Sequence, residues 1–589
     1  MTRKIVLVGV LILLGIALWL SPDFKVVAFG VAILLFGMMM LEEGFRAFAK
    51  GRMLSIIQNA TNKLYKSISL GTVLTALIQS SSLLTVIAIS FISAGLIDLG
   101  AGIGIVFGAN IGTTTTAWLV AGFGLNIKIA LLAMPMLIFG AVLSFQKNTI
   151  LKAFGNVLAG LSFFFLGIHY MKEGFDTFKD SFDLAAYAMP GLKGLLVYSL
   201  LGIVITTVLQ SSAATLVLTL TALSFGQLTY HNALALTIGA NIGTTITAII
   251  GAFGANVDGK RLAGAHLIFN LVTAIVALVF LHQLALAVDY INSFLGIADN
   301  NYLLKLAMFH TLFNVLGVAL MLPFIKQLER FLQKIFKKGN DKDIEYPKYL
   351  NKAVLEHPAA ALEAVIKETK YLFKNATFEI VAHGLNLHRD DIKSEISIRE
   401  LVKMSHSDID LDVDDIYYRK VKTIYGKIIK YISLIQFTFK LSEKQTDMLT
   451  KLKIANRKIV EIIKSMKGIQ TNVDLYTNSD NQYIKKEYER LRITASKVMR
   501  ETYYLRKEHE PEKRLDLLSK MHKDIMKESI LTSGVIDKLI REDLISSRMA
   551  TSLINDSDIV NSMIENFIEI AVLLYGTKDL LFENGVRGV

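Results

Sequence analysis

The chain contains no cysteine in its 589 residues. Disulfides and thiolate chemistry are therefore excluded, and redox chemistry says nothing about compartment. Proline is scarce: of seven, only Pro347, Pro358 and Pro511 lie beyond residue 325. Glycine thins in the same way, with 32 of 40 before Gly339. There is no Walker lysine loop, no HExxH, no CxxC and no nucleophile elbow. The chain is accordingly read as a non-enzyme without a cofactor. Although the net charge is +12, no basic stripe is interleaved with aromatics, so nucleic acid is not an expected partner.

Charge is also unevenly spent. Met1–Phe324 carries 17 Lys/Arg and 11 Asp/Glu, and the remaining 265 residues carry 46 and 40. This is the pattern of a membrane half followed by a soluble, charged half. Apolar runs long enough to span lie near 5–21, 26–45, 99–121, 128–146, 154–175, 230–252, 261–284 and 303–324, giving eight expected transmembrane helices. No small-residue cleavage site follows the first run, which ends Trp19-Leu20-Ser21-Pro22, so a retained helix is expected. Two further stretches, 68–95 and 195–226, carry polar motifs midway and read as re-entrant hairpins. The loop 46–67 holds Arg46, Lys50, Arg52, Lys63 and Lys66 and no acid, whereas 176–193 holds Asp176, Asp180 and Asp183 against Lys179 and Lys193. Short basic loops stay in the cytoplasm, so these two loops fall on opposite sides. Lys147, Lys152, Lys260 and Arg261 then lie inside, Asp289 and Asp299 outside, and both termini are cytoplasmic.

What is present is repetition. GTVLTALIQSSS (Gly71–Ser82) is matched by GIVITTVLQSSA (Gly202–Ala213), and GANIGTTTTA (Gly108–Ala117) by GANIGTTITA (Gly239–Ala248). Gln79 and Gln210 are 131 residues apart, as are Asn110 and Asn241. One shared offset implies a duplicated unit, with repeat 1 at about 27–146 and repeat 2 at about 154–284. Each copy has three crossings and one hairpin. That odd number inverts the second copy, and facing inverted copies put their tips near the midplane. Non-helical backbone there needs a protein, water or ligand partner. Half-helix N-termini and serine hydroxyls suit an anion, and freed carbonyls suit a small hard cation. The candidate binding residues are Gln79, Ser80, Ser81, Ser82, Gln210, Ser211 and Ser212, joined by Asn110, Thr113, Thr114, Asn241, Thr244 and Thr245. Two further copies of one pattern place His266 with Asn270 and His310 with Asn314 on single helical faces. Lacking acidic or cysteine companions, they are read as interhelical polar bonding, as is His169. Glu43 and Glu173 are read as interfacial.

At the QSSS, QSSA and two GANIGTT phrases the chain resembles the type II sodium–phosphate cotransporter family, over about Val27–Phe324. The resemblance implies sodium-driven symport of inorganic phosphate across the inner (cytoplasmic) membrane, with Na+ as the coupling ion and the QSS serines in contact with phosphate and sodium. Individual sodium ligands stay open. The family pattern has QSSS twice; Ala213 departs from it, which bears on sodium stoichiometry. Without the resemblance the residues specify an anion and a small cation. A sensor without net transport and an exporter are the alternative readings.

Beyond a linker at 325–355, low Gly and Pro with amphipathic, charge-rich runs predict a helical bundle over 356–589, with helices near 356–382, 412–441, 444–468, 483–508, 513–542 and 548–575. Within the last, Leu553, Ile559, Ile564, Ile568 and Leu573 form a core face. The arrangement from Tyr346-Pro347 through His357-Pro358 into six helices is similar to the PhoU-like tails of some bacterial family members, implying a cytoplasmic regulatory role. The acidic run Asp408, Asp410, Asp412, Asp414 and Asp415 reads as a solvated loop or helix start. The expected fold class is therefore all-α: a polytopic membrane domain (1–324) with two inverted repeats, then a cytoplasmic bundle. The expected partners are phosphate, sodium and membrane lipid, and a homodimer or a cytoplasmic regulatory partner is compatible with this reading.

Overall fold

A computed structural model describes residues 15–16, 18–19, 21–49, 63–124, 129–181, 189, 191–337, 346–405, 417–506, 512–527 and 534–575. Among them every regular element is helical. Most of the first apolar run, and the acidic run from Asp408 to Asp415, lie outside the described residues. The chain divides into two compact units: residues 1–338 with 352–357, and residues 339–351 with 358–589.

In the first unit the described helices are α1 (Pro22–Ala49), α2 (Leu64–Ile78), α3 (Ser81–Ser93), α4 (Leu99–Leu119), α5 (Ile129–Ser144), α6 (Thr149–Ser181), α7 (Gly191–Leu209), α8 (Ser212–Ser224), α9 (Tyr230–Gly243), α10 (Thr245–Ala252), α11 (Val257–Val279), α12 (Leu281–Phe294), α13 (Tyr302–Met321) and α14 (Ile325–Ile335). Among the described residues seven helical stretches are long and apolar enough to cross a membrane: Phe24–Ala47, Leu99–Gly122, Thr149–Thr177, Gly191–Leu209, Tyr230–Ala252, Val257–Val279 and Tyr302–Ile335. Gly191–Leu209 is one of them although it overlaps the 195–226 stretch, and α5 falls among the shorter apolar helices. The chain is a multi-pass membrane protein. In such a protein the helix satisfies its own backbone polar groups where water cannot.

Small residues set the packing. A Cβ on Gly71 or on Gly202 would collide with the carbonyl oxygen of Ile105 or of Leu236. A Cβ on Gly108 or Gly239 would strike the carbonyl of Ile68 or Ser199. The same four-way interlock of α2 with α4 therefore recurs between α7 and α9, and only glycine permits it. Hydroxyls cross both seams: Thr72 Oγ1 donates to Gly108 O at 3.1 Å and Ser199 Oγ to Ala235 O at 3.1 Å. The turns after α3 and α8 also match, since Gly95 (φ 67°) and Gly226 (φ 71°) both take the left-handed conformation that glycine adopts without a Cβ clash.

Glycines at seven-residue spacing, Gly30, Gly37 and Gly44 on α1 and Gly160, Gly167 and Gly174 on α6, seat these two helices antiparallel. A Cβ on Gly37 would lie 2.7 Å from Gly160 O, and one on Gly167 would lie 2.7 Å from Gly30 O. Gly37 aligns with Gly167 and Gly30 with Gly160 at an offset of 130 residues. Each contact is thus the copy-exchanged version of the other.

The second unit is helical as well: α15 (Pro358–Leu372), α16 (Phe378–Gly384), α17 (Arg389–Ile392), α18 (Ile398–Met404), α19 (Thr423–Thr438), α20 (Glu443–Thr477), α21 (Gln482–Leu505), α22 (Glu512–Lys527), α23 (Val535–Arg541) and α24 (Ser547–Tyr575). Leu553, Ile564 and Ile568 of α24 are buried, and Ile559 and Leu573 are half-buried. Phe567 meets Phe373 and Phe378 with ring centroids 5.2 and 5.6 Å away. Where one helix is expected over 513–542, two are found, with Gly534 at φ 70° opening the second. Residues 349–351 are tied into the second unit. The Tyr349 N–H donates to the buried Glu368 carboxylate at 2.7 Å, and Tyr431 OH donates to Asn351 O at 2.9 Å.

Candidate functional site

Both QSS stretches fold as helix–break–helix. Gln79 (φ 59°) ends α2 and Gln210 (φ 52°) follows α7, each in the left-handed region. A residue with a Cβ pays of order 1–2 kcal/mol there, so the surroundings must hold both conformations. Ser80 and Ser211 then take extended backbone and cap the next helix. Ser80 Oγ accepts from Leu83 N at 3.3 Å and Ser211 Oγ from Ala214 N at 3.1 Å. No acidic residue lies in the first turn of α3 or α8. Two helices thus begin at these breaks with no acid to compensate their N-terminal dipole ends and with serine hydroxyls beside them, the setting in which an oxyanion binds.

The side chains diverge where the backbones agree. The Gln79 amide is used on both sides: Oε1 accepts from Thr116 Oγ1 at 2.7 Å, and Nε2 donates to Thr115 Oγ1 at 3.0 Å and to Ala76 O at 2.5 Å. Gln210 is exposed. The positions equivalent to Thr115 and Thr116 are Ile246 and Thr247. Ile246 offers no hydroxyl, and Thr247 Oγ1, which donates to Thr244 O at 2.7 Å, lies 3.1 Å from Ser82 Oγ, a hydroxyl pair that reaches from one copy into the other. The mirror partner of Ser82 is Ala213, which has no oxygen to accept Thr116, and Thr116 turns to Gln79. The second tip is tied between its own arms, by Thr206 Oγ1 donating to Thr215 Oγ1 at 2.9 Å. The first tip cannot do this, because Leu84 stands opposite Thr75.

The GANIGTT phrases lie on α4 and across α9 and α10. The structure sets the copies crosswise, with α3 packing against α10 and α11, and α8 against α4. Thr113, Thr114, Thr244 and Thr245 are buried, and each donates to a carbonyl three or four residues earlier in the chain, at 2.9, 2.8, 2.6 and 2.7 Å. Their oxygens retain lone pairs for a cation. Asn110 Nδ2 donates to Val106 O at 2.9 Å. Asn241 is engaged differently: its Nδ2 donates to Asn314 Oδ1 at 2.8 Å, and its Oδ1 lies 3.3 Å from His310 Nε2. The His310/Asn314 pair therefore makes interhelical polar bonds. The matching pair on α11 stays within its helix, with Asn270 Nδ2 donating to His266 O at 3.1 Å. Glu43 and Glu173 are exposed. Among the described residues no three His, Cys, Asp or Glu side chains converge as a metal site.

Thr115, Thr116 and Thr247 were not among the residues selected from sequence. A signal for them was present: the repeated phrases differ at one place, TTTT against TTIT, and that mismatch marks where one tip's support is lost in the other.

Fold and site together define a multi-pass, all-helical membrane protein built on two copies of one motif pair. The model of the Na+/Pi-cotransporter family matches residues 33–173 and 192–299 of the chain. YjbB of Escherichia coli K12, provisionally named an inorganic phosphate export protein, is 27% identical over 375 residues, which cover 63% of this chain and 66% of that protein. YqeW of Bacillus subtilis 168, an uncharacterized protein, is 27% identical over 311 residues, covering 52% of this chain and 96% of its own length. The chain thus spans just under two thirds of YjbB. No solved structure matches it.

Proposed function

We propose that this chain is a sodium-coupled symporter of inorganic phosphate, working by alternating access, with a PhoU-like regulatory bundle on the cytoplasmic side. The observation that carries the reading is the pair of capped QSS tips within a match to the Na+/Pi-cotransporter family. Each tip directs free N–H groups and serine hydroxyls at the same break in its copy. Phosphate is held by those donors, and sodium offsets its charge through Ser, Thr and main-chain oxygens. In this reading the QSS stretches are re-entrant hairpins and the two copies are inverted repeats. The antiparallel α1–α6 seam, whose glycine contacts exchange between copies, supports the inversion. Turnover is a movement of the tip-bearing helices relative to the α1–α6 pair around a fixed site. Both termini face the cytoplasm.

A second direction, export, is favoured by the name that YjbB carries; a symporter's direction follows its gradients. Uptake of labelled phosphate into proteoliposomes, with and without an inward sodium gradient, tests the proposal. Gradient-dependent uptake is expected. Equal uptake in both conditions removes sodium coupling, and binding without flux leaves a sensor.

A further inference from the structure

Residues Lys352–His357 belong to the membrane unit, although the chain on either side belongs to the other unit. They include a short turn (Ala353–Glu356) whose first residue is fixed through both its N–H and its carbonyl. Ser90 Oγ donates to Ala353 O at 2.7 Å in a buried bond, and Ala353 N donates to Gly254 O at 3.2 Å. Val354 is fully buried, and the His357 ring stands edge-on to Phe91 at 6.4 Å. Gly254 leaves the space: a Cβ there would lie 2.9 Å from Lys352 Cβ.

The two anchors come from different copies. Ser90 and Phe91 sit in the last turn of α3, the helix that begins at the first QSS tip, and Gly254 lies in the turn between α10 and α11 of the second copy. From that same turn Asn256 Nδ2 donates to Ser93 O at 3.0 Å. The seat exists in one copy only. The equivalents of Ser90 and Phe91 are Thr221 and Ala222, and Thr221 Oγ1 donates to Val217 O of its own helix at 2.8 Å. On the chain before the turn, Asn351 O accepts from Tyr431 OH, and α15 begins directly after it.

We propose that Lys352–His357 is a strap that latches the far end of the first tip helix to the second copy, and that it must release for the tip to move. A change in the bundle reaches the tip through Asn351 and Pro358, which border the strap. The flux arm of the test rests on the transport reading; the labelling arm does not.

The natural absence of cysteine makes the test clean. In full-length S90C/A353C, cross-linking the two thiols with a short bifunctional reagent or by oxidation is expected to cut phosphate uptake at least about tenfold, as for a lid that cannot open. Reduction of the oxidised protein restores it. Fully cross-linked protein that transports at the reduced rate overturns the proposal. If the reduced protein also moves no phosphate, the transport reading fails, and the strap is decided by labelling. In full-length V354C a maleimide is expected to react slowly, and about fivefold faster once S90A is added, the effect of one lost buried hydrogen bond. An unchanged rate means that Ser90 does not hold the strap, which overturns the proposal.

Discussion

At the first tip Gln79 is gripped by two threonine hydroxyls and a carbonyl; at the second, Gln210 has the same backbone twist and stands open. The glycine interlocks beneath the two tips are equivalent residue for residue, so the difference does not come from the scaffold. It comes from two substitutions, Ile246 for a threonine and Ala213 for a serine. Each deletes one hydroxyl, and the remaining threonines re-pair around the gaps. Duplication has kept the frame and let the contents diverge: one glutamine is tied down by its own copy's threonines, and the other is exposed.

The comparison breaks first if the frame is not shared. Gly108→Ala and Gly239→Ala each drive a methyl into a backbone carbonyl, and each should cost about 3 kcal/mol of stability, read as matched falls in melting temperature in detergent. A large difference between them would end the claim of equivalent scaffolds. The glutamines separate next. Gln79→Ala and Gln210→Ala should both lower phosphate uptake by about a hundredfold, a few kcal/mol of lost site interactions. Only Gln79→Ala should also destabilise the protein, by about 1–3 kcal/mol, because it strands the buried Thr116 hydroxyl; Gln210→Ala should stay within about 0.5 kcal/mol. The opposite order of melting temperatures would exchange the two roles. Thr116→Val leaves Gln79 in place but releases its amide oxygen. Uptake should fall about tenfold, from the loss of one or two hydrogen bonds' worth of positioning, with a raised sodium requirement and an unchanged phosphate-free fold. The smallest effect belongs to Ala213→Ser. It offers Thr116 the partner that Thr247 has in Ser82, and it should change the slope of the sodium curve while moving stability by no more than about 0.5 kcal/mol. An identical sodium curve would show that Thr116 does not exchange partners.

Much of this architecture was legible in the chain. The QSS phrases stood out because polar residues interrupt apolar runs, and the structure breaks the helices at those glutamines. The core face of the last helix was visible from its periodicity. The linker was not legible. A charged stretch at 325–355 reads as a tether, yet α14 extends the last membrane stretch, and 352–357 is packed against residues more than 90 positions away. Nor could the engagement of Asn241 by His310 and Asn314 be assigned. Both patterns were visible, but nothing local says which helix faces which.

Composition, periodicity and repetition by themselves determined that this is a helical membrane protein with a charged helical appendage and two copies of one polar break, because each of these is set by residues within a turn or two of one another. Which hydroxyl meets which glutamine, which copy's threonine crosses to the other copy's serine, and where the strap is seated were decided only by tertiary structure. These pairings join residues 36 to 263 positions apart, and a hydrogen bond is specified by where two atoms end up in space, which no local pattern encodes.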